Sequence, residues 1–529
     1  MQATPESYGE IRGALGTLRR DDCGPRTGWW HRLRTLLAIL GPGLIVMVGD
    51  NDAGAFSTYA QAGQNYGTTL LWTLGLLVPV LYVNQEMVLR LGTITGVGHA
   101  RLILQRFGKF WGAFSVIDLF ILNALTLVTE FVGISIGLDI LGVPKALGVA
   151  AAAVLIMAAA GTGDFRRFER FAMVLVVGSV LLLPIFLMTR PPVAQIAHDF
   201  LVPQLPPRAH LADVMLLVIA IVGTTVAPWQ LFFQQSYIID KRIGVRFINY
   251  ERLDLVIGIV IVILGAVAMI AFCAHAFAGT PQFGHFSDAG AIARGLDRFH
   301  GSNLPGVLFA FALIDASIIG AAAVSLSSAY AMGDILNMRH SLHASPRKAK
   351  TFYGIYCCLI AVAAALVLIP NVPLGLLTNA VQTLAGVLLP SASVFLLLLC
   401  NDKQLLGPWA NSFGLNVFTS MVVGVLVLLS LILTAAVLFP DIGGGTIGWI
   451  LGGGAALGGA VVAVAALRAR RPAAVETAVP PGAWRAPRLD TLGAIRMTPM
   501  RRLSMLVLRG YLVVAVLMVI VRVVQTALA

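Results

Sequence analysis

Charged residues are scarce in this chain: Asp, Glu, Lys and Arg together make up 12% of its 529 residues, whereas a typical soluble domain has about 25%. Hydrophobic residues make up 58% of the chain, and its mean hydropathy is +0.86. Apolar runs of about 20 residues, each long enough to cross a bilayer, recur from Leu36 almost to the end. The sequence therefore predicts an all-α polytopic membrane protein whose main partner is the lipid bilayer.

Cysteines and catalytic motifs are also sparse. The five cysteines form no C-x-x-C pair, which argues against a disulfide framework or a zinc site, and there is no H-E-x-x-H. Residues 133–137 (GISIG) match the G-x-S-x-G pattern of hydrolases, but no strand precedes them to form the nucleophile elbow. We therefore expect neither an enzyme nor a bound cofactor.

The net charge of +12 comes from Lys and Arg in short clusters between the apolar runs. This arrangement is typical of the positive-inside rule and argues against nucleic-acid binding. The clusters follow alternate runs; Lys241, Arg242 and Arg246, for example, follow the sixth. The pattern predicts a multi-pass protein of a bacterial-type inner membrane with a cytoplasmic N-terminus, and it leaves the oligomeric state open.

The apolar runs divide the chain into spans and flanking segments. The predicted membrane helices cover residues 36–59, 69–91, 111–139, 146–160, 170–188, 212–239, 253–278, 304–333, 352–369, 374–399, 413–438 and 447–467. The predicted regions are a cytoplasmic tail at 1–35, a ten-helix core at 36–399, two additional membrane helices at 400–467, a proline-rich flexible cytoplasmic linker at 468–502, and either an extra membrane helix or an interfacial helix at 503–529.

The first and sixth spans are interrupted by residues that disfavour a helix. The first contains GDNDAG at residues 49–54, and the sixth contains GTTVAP at residues 223–228. Unwound segments release backbone carbonyls, which at membrane depth require a polar partner such as an ion. In an inverted five-plus-five helix repeat, the first and sixth spans occupy corresponding positions.

Carboxylates within the first break point to a bound cation. Asp52 is the best candidate for direct ligation, because Ala53 and Gly54 form the break itself, whereas for Asp50 we favour helix capping or a vestibule position. Carboxylate, carbonyl and amide oxygens are hard ligands that suit Mg²⁺, Ca²⁺ or Mn²⁺. The breaks therefore predict a site for a small divalent cation.

Residues 41–72 (GPGLIVMVGDNDAGAFSTYAQAGQNYGTTLLW) resemble, without a gap, the first membrane helix and the start of the second in the Nramp divalent-metal transporters. Residues 126–133, 223–236 and 382–390 are similar to that family's third, sixth and tenth helices. The resemblance implies a LeuT-like fold, with an inverted five-plus-five repeat, broken helices 1 and 6, additional C-terminal helices, and metal bound between the breaks.

The departures from the family motifs are informative. The family's Asp-Pro-Gly-Asn stands here as DAGA at residues 52–55, so Ala55 replaces an amide ligand. Its Met-Pro-His stands as APW at residues 227–229, so Ala227 replaces a thioether and Trp229 an imidazole. This pattern resembles the Nramp-related magnesium transporters, a divergent branch. The implied metal-binding positions are Asp52, Gly49, Thr224, Ala227 and Gln382, and the implied lining or pathway residues are Asp50, Asn51, Ala55, Glu130, Trp229 and Gln230.

The resemblance implies Mg²⁺ uptake by alternating access, with Mn²⁺ tolerated and the ion as substrate rather than cofactor. The family's proton route maps to Leu127, Glu130 and Trp229, of which only Glu130 can titrate, so we expect transport uncoupled from protons. One alternative is a proton-coupled Mn²⁺ or Fe²⁺ importer. Another is an organic solute symporter on the same fold, which Asp52 argues against.

Glu86 and Asp315 are among the other acids within predicted spans. Each is a candidate for lining an ion path, because an intramembrane carboxylate rarely faces lipid. Glu86 lies near a basic cluster, so pairing there is the alternative to a path-lining role, whereas the sequence offers Asp315 no evident partner.

Overall fold

The computed structural model describes part of the chain: residues 10–19, 22, 24–207, 209–370, 374–438, 444–468, 484–492, 505, 506 and 510. Its elements are, in chain order, β1 (Ile11–Arg12), β2 (Thr17–Leu18), α1 (Trp29–Ile39), α2 (Pro42–Val48), α3 (Ala53–Tyr66), α4 (Leu71–Thr95), α5 (His99–Phe107), α6 (Lys109–Ile140), α7 (Lys145–Gly161), α8 (Phe165–Gly178), α9 (Leu182–Thr189), α10 (Val193–Leu201), α11 (Leu211–Thr225), α12 (Pro228–Asp240), α13 (Ile248–Phe277), α14 (Ala289–His300), α15 (Leu304–Ile335), α16 (Lys350–Val367), α17 (Leu374–Cys400), α18 (Lys403–Leu406), α19 (Phe413–Leu438) and α20 (Gly444–Arg468).

Helices occupy all twelve predicted spans. By length and apolar composition alone, seven membrane-crossing helices are found among the described residues, or up to nine if each of two bent pairs counts as one span. One bent pair is α1 with α2, which meet at 54°. The predicted last apolar stretch, residues 505–528, lies outside the described residues except for Met505, Leu506 and Gly510.

The two interruptions lie where the glycines and the proline predict them. α2 ends at Val48 and α3 begins at Ala53, whereas α11 ends at Thr225 and α12 begins at Pro228. α13 packs against both halves of the first span, and α17 packs along α11. The two broken spans are therefore enclosed by continuous helices.

Several short elements were not predicted. Two small strands, β1 and β2, pair antiparallel with Ile11 opposite Leu18, and α1 begins inside the predicted N-terminal tail. In the predicted linker, the described residues 484–492 include Trp484, whose ring lies against Gly407. The flexible linker stays a prediction, and residues 469–483 and 493–502 of it lie outside the described residues.

Two cations that lie between predicted spans, Lys241 and Arg106, are buried. The side chain of Lys241 is 0% exposed and lies 2.7 Å from Glu169, and Arg106 lies 2.5 Å from Asp402. Neighbouring Arg242 and Arg246 are exposed, as loop cations should be. The cytoplasmic position of the N-terminus remains a prediction.

Candidate cation site between the two broken helices

The first break comprises residues 49–52, and all four of its side-chain positions are buried. Asp52 is the N-cap of α3, and its Oδ1 accepts a hydrogen bond of 2.8 Å from the backbone N–H of Ala55. Capping, one of the two roles expected of Asp50, is therefore performed by Asp52, because its carboxylate is the one in register with the first turn of α3. A vestibule position for Asp50 stays a prediction. At position 55 the chain offers this N–H and no side-chain oxygen.

Glu130 on α6 reaches into the same break. Its Oε2 accepts a hydrogen bond of 3.2 Å from the backbone N–H of Ala53. In a continuous helix, that N–H would donate to the carbonyl of Gly49, four residues earlier. Glu130 therefore diverts the donor and leaves the Gly49 carbonyl available to a cation.

Asp50 is directed toward the sixth span. Its Oδ1 accepts a hydrogen bond from Nε2 of Gln230 on α12, and Oε1 of Gln230 accepts one of 2.8 Å from Gln85 on α4. Oδ2 of Asp50 is buried with no hydrogen-bond partner among the described residues. A buried carboxylate oxygen in this condition is a natural acceptor for water or a cation.

Asn51 is directed elsewhere. Its Nδ2 donates to the carbonyl of Val262 on α13, at 3.1 Å. The amide nitrogen of this predicted lining residue is therefore hydrogen-bonded to a neighbouring helix.

The second break also supplies a free carbonyl. Pro228 is the first residue of α12 and has no N–H, so the carbonyl of Thr224 lacks the donor that a continuous helix would place four residues on. Ala227 is the N-cap of α12, and its buried side chain is a methyl group. The sixth span therefore contributes oxygen at Thr224 and no sulfur at position 227.

Gln382 on α17 lies against both breaks. A Cβ built on Gly54 would overlap the amide of Gln382, and one on Gly223 would meet its backbone oxygen. A hydrogen bond of 2.7 Å between the hydroxyl groups of Tyr59 and Thr225 also joins the first and sixth spans. Gln382 therefore lies between the two broken spans, beside Gly54 and Gly223.

Trp229 occupies the position of the family's histidine and is buried. The edge of its ring approaches Gly49: Cη2 would lie 3.6 Å from a Cβ atom added to that glycine. The backbone carbonyl of Trp229 accepts a hydrogen bond of 3.0 Å from the hydroxyl group of Ser327. Its indole Nε1 has no hydrogen-bond partner among the described residues. An indole N–H can only donate, so it offers a metal no lone pair.

The chemistry of this arrangement is that of an oxygen site. The predicted donors are the carbonyls of Gly49 and Thr224, the carboxylate of Asp52 and the amide of Gln382, and all of them are oxygens. Within the described part of the chain, no three His, Cys, Asp or Glu side chains are grouped as a metal cluster. The carbonyl ends of α2 and α11 also carry the negative poles of their helix dipoles, which favour a cation.

The two acids considered above as path-lining residues, Glu86 and Asp315, have separate surroundings. Glu86 pairs with Arg90 at 3.2 Å and Arg252 at 2.6 Å, so its predicted pairing is confirmed. Asp315 packs against Gly178 of α8.

Comparison with known proteins identifies the family. The profile described as natural resistance-associated macrophage protein-like, Nramp, matches residues 43–436. The chain belongs to the Nramp family. Its resemblance to the helix motifs is thus confirmed, whereas membership of the magnesium branch is not established by this match.

Known relatives are similar to this chain along most of their own length. "Divalent metal cation transporter MntH" of Ralstonia nicotianae is 27% identical over 419 residues, which cover 76% of this chain and 89% of that protein. The protein of the same name from Mesorhizobium japonicum is 26% identical, with coverage of 78% and 92%.

Solved Nramp structures have the same fold. The manganese transporter of Eremococcus coleocola, bound to an aromatic bis-isothiourea compound, superposes with a TM-score of 0.64 at 20% identity, covering 86% of this chain and 97% of that one. A variant of that transporter gives the same TM-score at 18% identity. The predicted LeuT-like architecture is confirmed, and this Nramp chain is a multi-pass membrane transporter rather than an enzyme.

Three hydrogen-bonding residues near the breaks were not predicted from the sequence: Gln85, Tyr59 and Thr225. Gln85 lies in an apolar span, where an amide side chain is costly. Its residue type alone was therefore a signal of a buried polar contact. The hydroxyl pair of Tyr59 and Thr225 had no such signal, because neither residue type is unusual in a membrane helix.

Proposed function

We propose that this Nramp chain carries divalent cations across the membrane, with Mg²⁺ as its main substrate and Mn²⁺ tolerated, by alternating access at the site between the breaks. The names of its relatives, divalent metal cation transporters and a manganese transporter, support the substrate class. The ion is cargo, and the chain has no resident cofactor. The N-terminus lies in the cytoplasm of a bacterial-type cell, and transport is inward.

The observation that carries the Mg²⁺ preference is the buried methyl group of Ala227 at the start of α12. A thioether at this position would favour softer transition metals, whereas the donors around it are oxygens. Mg²⁺ is a hard ion that dehydrates reluctantly and usually keeps several waters. A site with one carboxylate, two carbonyls and an amide suits an ion that remains partly hydrated.

Transport is uncoupled from protons. Leu127 is buried and apolar, and Trp229 cannot exchange a proton near neutral pH, so neither connects Glu130 to a proton route. The driving force is the membrane potential, worth about 4.6 kcal/mol per 100 mV for a divalent ion. An inside-negative potential therefore favours uptake.

Proton-coupled Mn²⁺ or Fe²⁺ transport is the second candidate. It is favoured by the proximity of Glu130 and Asp52, whose side chains both lie against Gly320. A Cβ added to Gly320 would be 2.9 Å from the carboxylate of Glu130 and 3.1 Å from Cβ of Asp52. Asp50 adds a third buried carboxylate near the first break. The two candidates differ in whether protons accompany the metal.

Asp52→Asn tests the site with little disturbance of the fold, because asparagine is as good an N-cap as aspartate. We expect Mg²⁺ uptake into proteoliposomes to fall by roughly a hundredfold, equivalent to about 2.7 kcal/mol of lost ion binding. The matched control is Asp288→Asn, because Asp288 caps α14 through Ala291 N–H at 2.7 Å, as Asp52 caps α3. Equal uptake by Asp52→Asn and the wild type would remove Asp52 from the site.

A further inference from the structure

A cavity of about 590 Å³ lies between β2, the loop that follows it and α1. The described residues that line it include two arginines, Arg26 and Arg34, and a single acid, Asp22. Cationic side chains therefore outnumber acidic ones in its wall, which favours an anionic ligand. We call this space the α1 cavity.

Arg26 brings two unpaired donors to the α1 cavity. Its side chain is only 10% exposed, and Nη1 donates to Oδ2 of Asp22 at 2.8 Å and to Nε2 of His31 at 2.6 Å. Nε and Nη2 are buried and have no hydrogen-bond partner among the described residues. Because these two nitrogens share one edge of the guanidinium, they offer parallel N–H groups, the arrangement that binds two oxygens of a phosphate.

The start of α1 supplies a second set of donors to the α1 cavity. Gly28, Trp29 and Trp30, which form this end of the helix, all line the cavity. No side chain of the described residues caps the helix there, so the N–H groups of its first turn lack a capping acceptor. The same end carries the positive pole of the helix dipole, which favours an anion.

Exposed apolar side chains surround these donors. Leu15, Trp29 and Trp30 line the α1 cavity and are 51%, 68% and 72% exposed. Exposed tryptophans at the start of a helix that leads into a membrane span are typical of the membrane–water interface, and α1 continues through a 54° bend into α2. A small soluble anion would gain no free energy from this apolar rim, whereas the glycerol and acyl groups of a phospholipid would contact it.

We propose that the α1 cavity binds the headgroup phosphate of an anionic phospholipid. Nε and Nη2 of Arg26 and the first N–H groups of α1 hold the phosphate oxygens, and the two tryptophans contact the apolar part of the lipid. Arg34 attracts the lipid through its charge. The cavity is separate from the two breaks, so the proposal is independent of which cation is carried.

Lipid binding to the full-length protein tests this site. Protein in a neutral detergent is titrated with dioctanoyl phosphatidylglycerol, and native mass spectrometry gives the dissociation constant of the first lipid bound. Dioctanoyl phosphatidylcholine tests the need for net negative charge, and competition by inorganic phosphate tests the need for the apolar part. The variants are Arg26→Gln and Arg34→Gln, and the matched control is Arg12→Gln, because Arg12 is 63% exposed and is not among the described residues that line the cavity.

We expect Arg26→Gln to weaken binding of the first phosphatidylglycerol by roughly tenfold, the effect of losing one charged hydrogen-bonding partner. Arg34→Gln should weaken it about fivefold, the effect of one cation near an anionic lipid, and Arg12→Gln should leave it unchanged. Because the Arg34 side chain is exposed, Arg34→Gln decides the matter if Arg26→Gln does not fold.

Three results would overturn the proposal. The first is wild-type affinity in the folded Arg26→Gln or Arg34→Gln variants, or an equal loss in Arg12→Gln. The second is binding of phosphatidylcholine as tight as that of phosphatidylglycerol, which would show that the headgroup charge is not recognised. The third is displacement of the lipid by an equal concentration of inorganic phosphate, which would assign the cavity to a free anion.

Discussion

Ala227 begins the second half of the sixth span, where the family motif has a methionine. Ala227→Met restores a soft ligand at the break, so we expect the preference for Mn²⁺ over Mg²⁺ to increase by about tenfold, or about 1.4 kcal/mol. Competition of Mn²⁺ against Mg²⁺ uptake measures this ratio. Ala227→Leu is the control, because it adds similar bulk without sulfur. The same shift in both variants would contradict the explanation from ligand softness.

Glu130 has a structural role that can be separated from proton transfer. Glu130→Gln retains an oxygen that can accept the Ala53 N–H, whereas Glu130→Leu does not, and the N–H can then return to the Gly49 carbonyl. We expect Mg²⁺ uptake to remain within about threefold of the wild type in Glu130→Gln and to fall at least tenfold in Glu130→Leu, the effect of about 1.4 kcal/mol. Equal loss in both variants would instead indicate that the proton-bearing carboxyl group is required.

At the residue scale, the sequence contained the chemistry of the site but not its hydrogen bonds. Asp52 stood out because a carboxylate beside a glycine break is costly in a membrane, and Gln382 came from the family motif. The bond from Ala53 to Glu130 joins residues 77 positions apart, and nothing in a single sequence records it. That Asp52 rather than Asp50 caps α3 was hidden for the same reason, since the cap depends on where α3 begins.

α11 and α17 approach each other through glycine. A Cβ on Gly223 would meet the backbone N of Gly386 and the backbone oxygen of Gln382. Gly223→Ala should therefore separate these helices, lower the melting temperature in detergent and reduce Mg²⁺ uptake. Gly354→Ala in α16 is the control, because a Cβ there meets nothing within 4 Å and alanine favours a helix by about 0.8 kcal/mol. If both alanines were tolerated equally, close helix contact would not position Gln382.

At the element scale, the breaks were predictable because glycine and proline act locally on the helix. The helices in the twelve predicted spans were predictable because each apolar run has to satisfy its own backbone in lipid. α1, the β1 and β2 hairpin and the packed Trp484 were not, since their positions depend on surfaces that the membrane helices form together. Short polar segments carry no periodic signal strong enough to reveal such docking.

The described part of the molecule combines many exposed apolar side chains with buried polar ones, which include those at the two breaks and the ion pair of Glu169 and Lys241. Composition was sufficient to predict a membrane protein, and the order of the motifs was sufficient to predict the LeuT-like fold. The burial of Lys241 was not predictable, because a lysine after a membrane helix is normally a loop cation.

Net transport by the intact protein tests the central claim most directly. Purified wild-type protein is placed in proteoliposomes that contain a Mg²⁺ reporter and a pH-sensitive dye, and a potassium gradient with an ionophore sets the membrane potential. We predict that an inside-negative potential accelerates Mg²⁺ entry without acidifying the interior, because the ion moves alone. Acidification in proportion to metal entry, or entry of Mn²⁺ without Mg²⁺, would contradict the account.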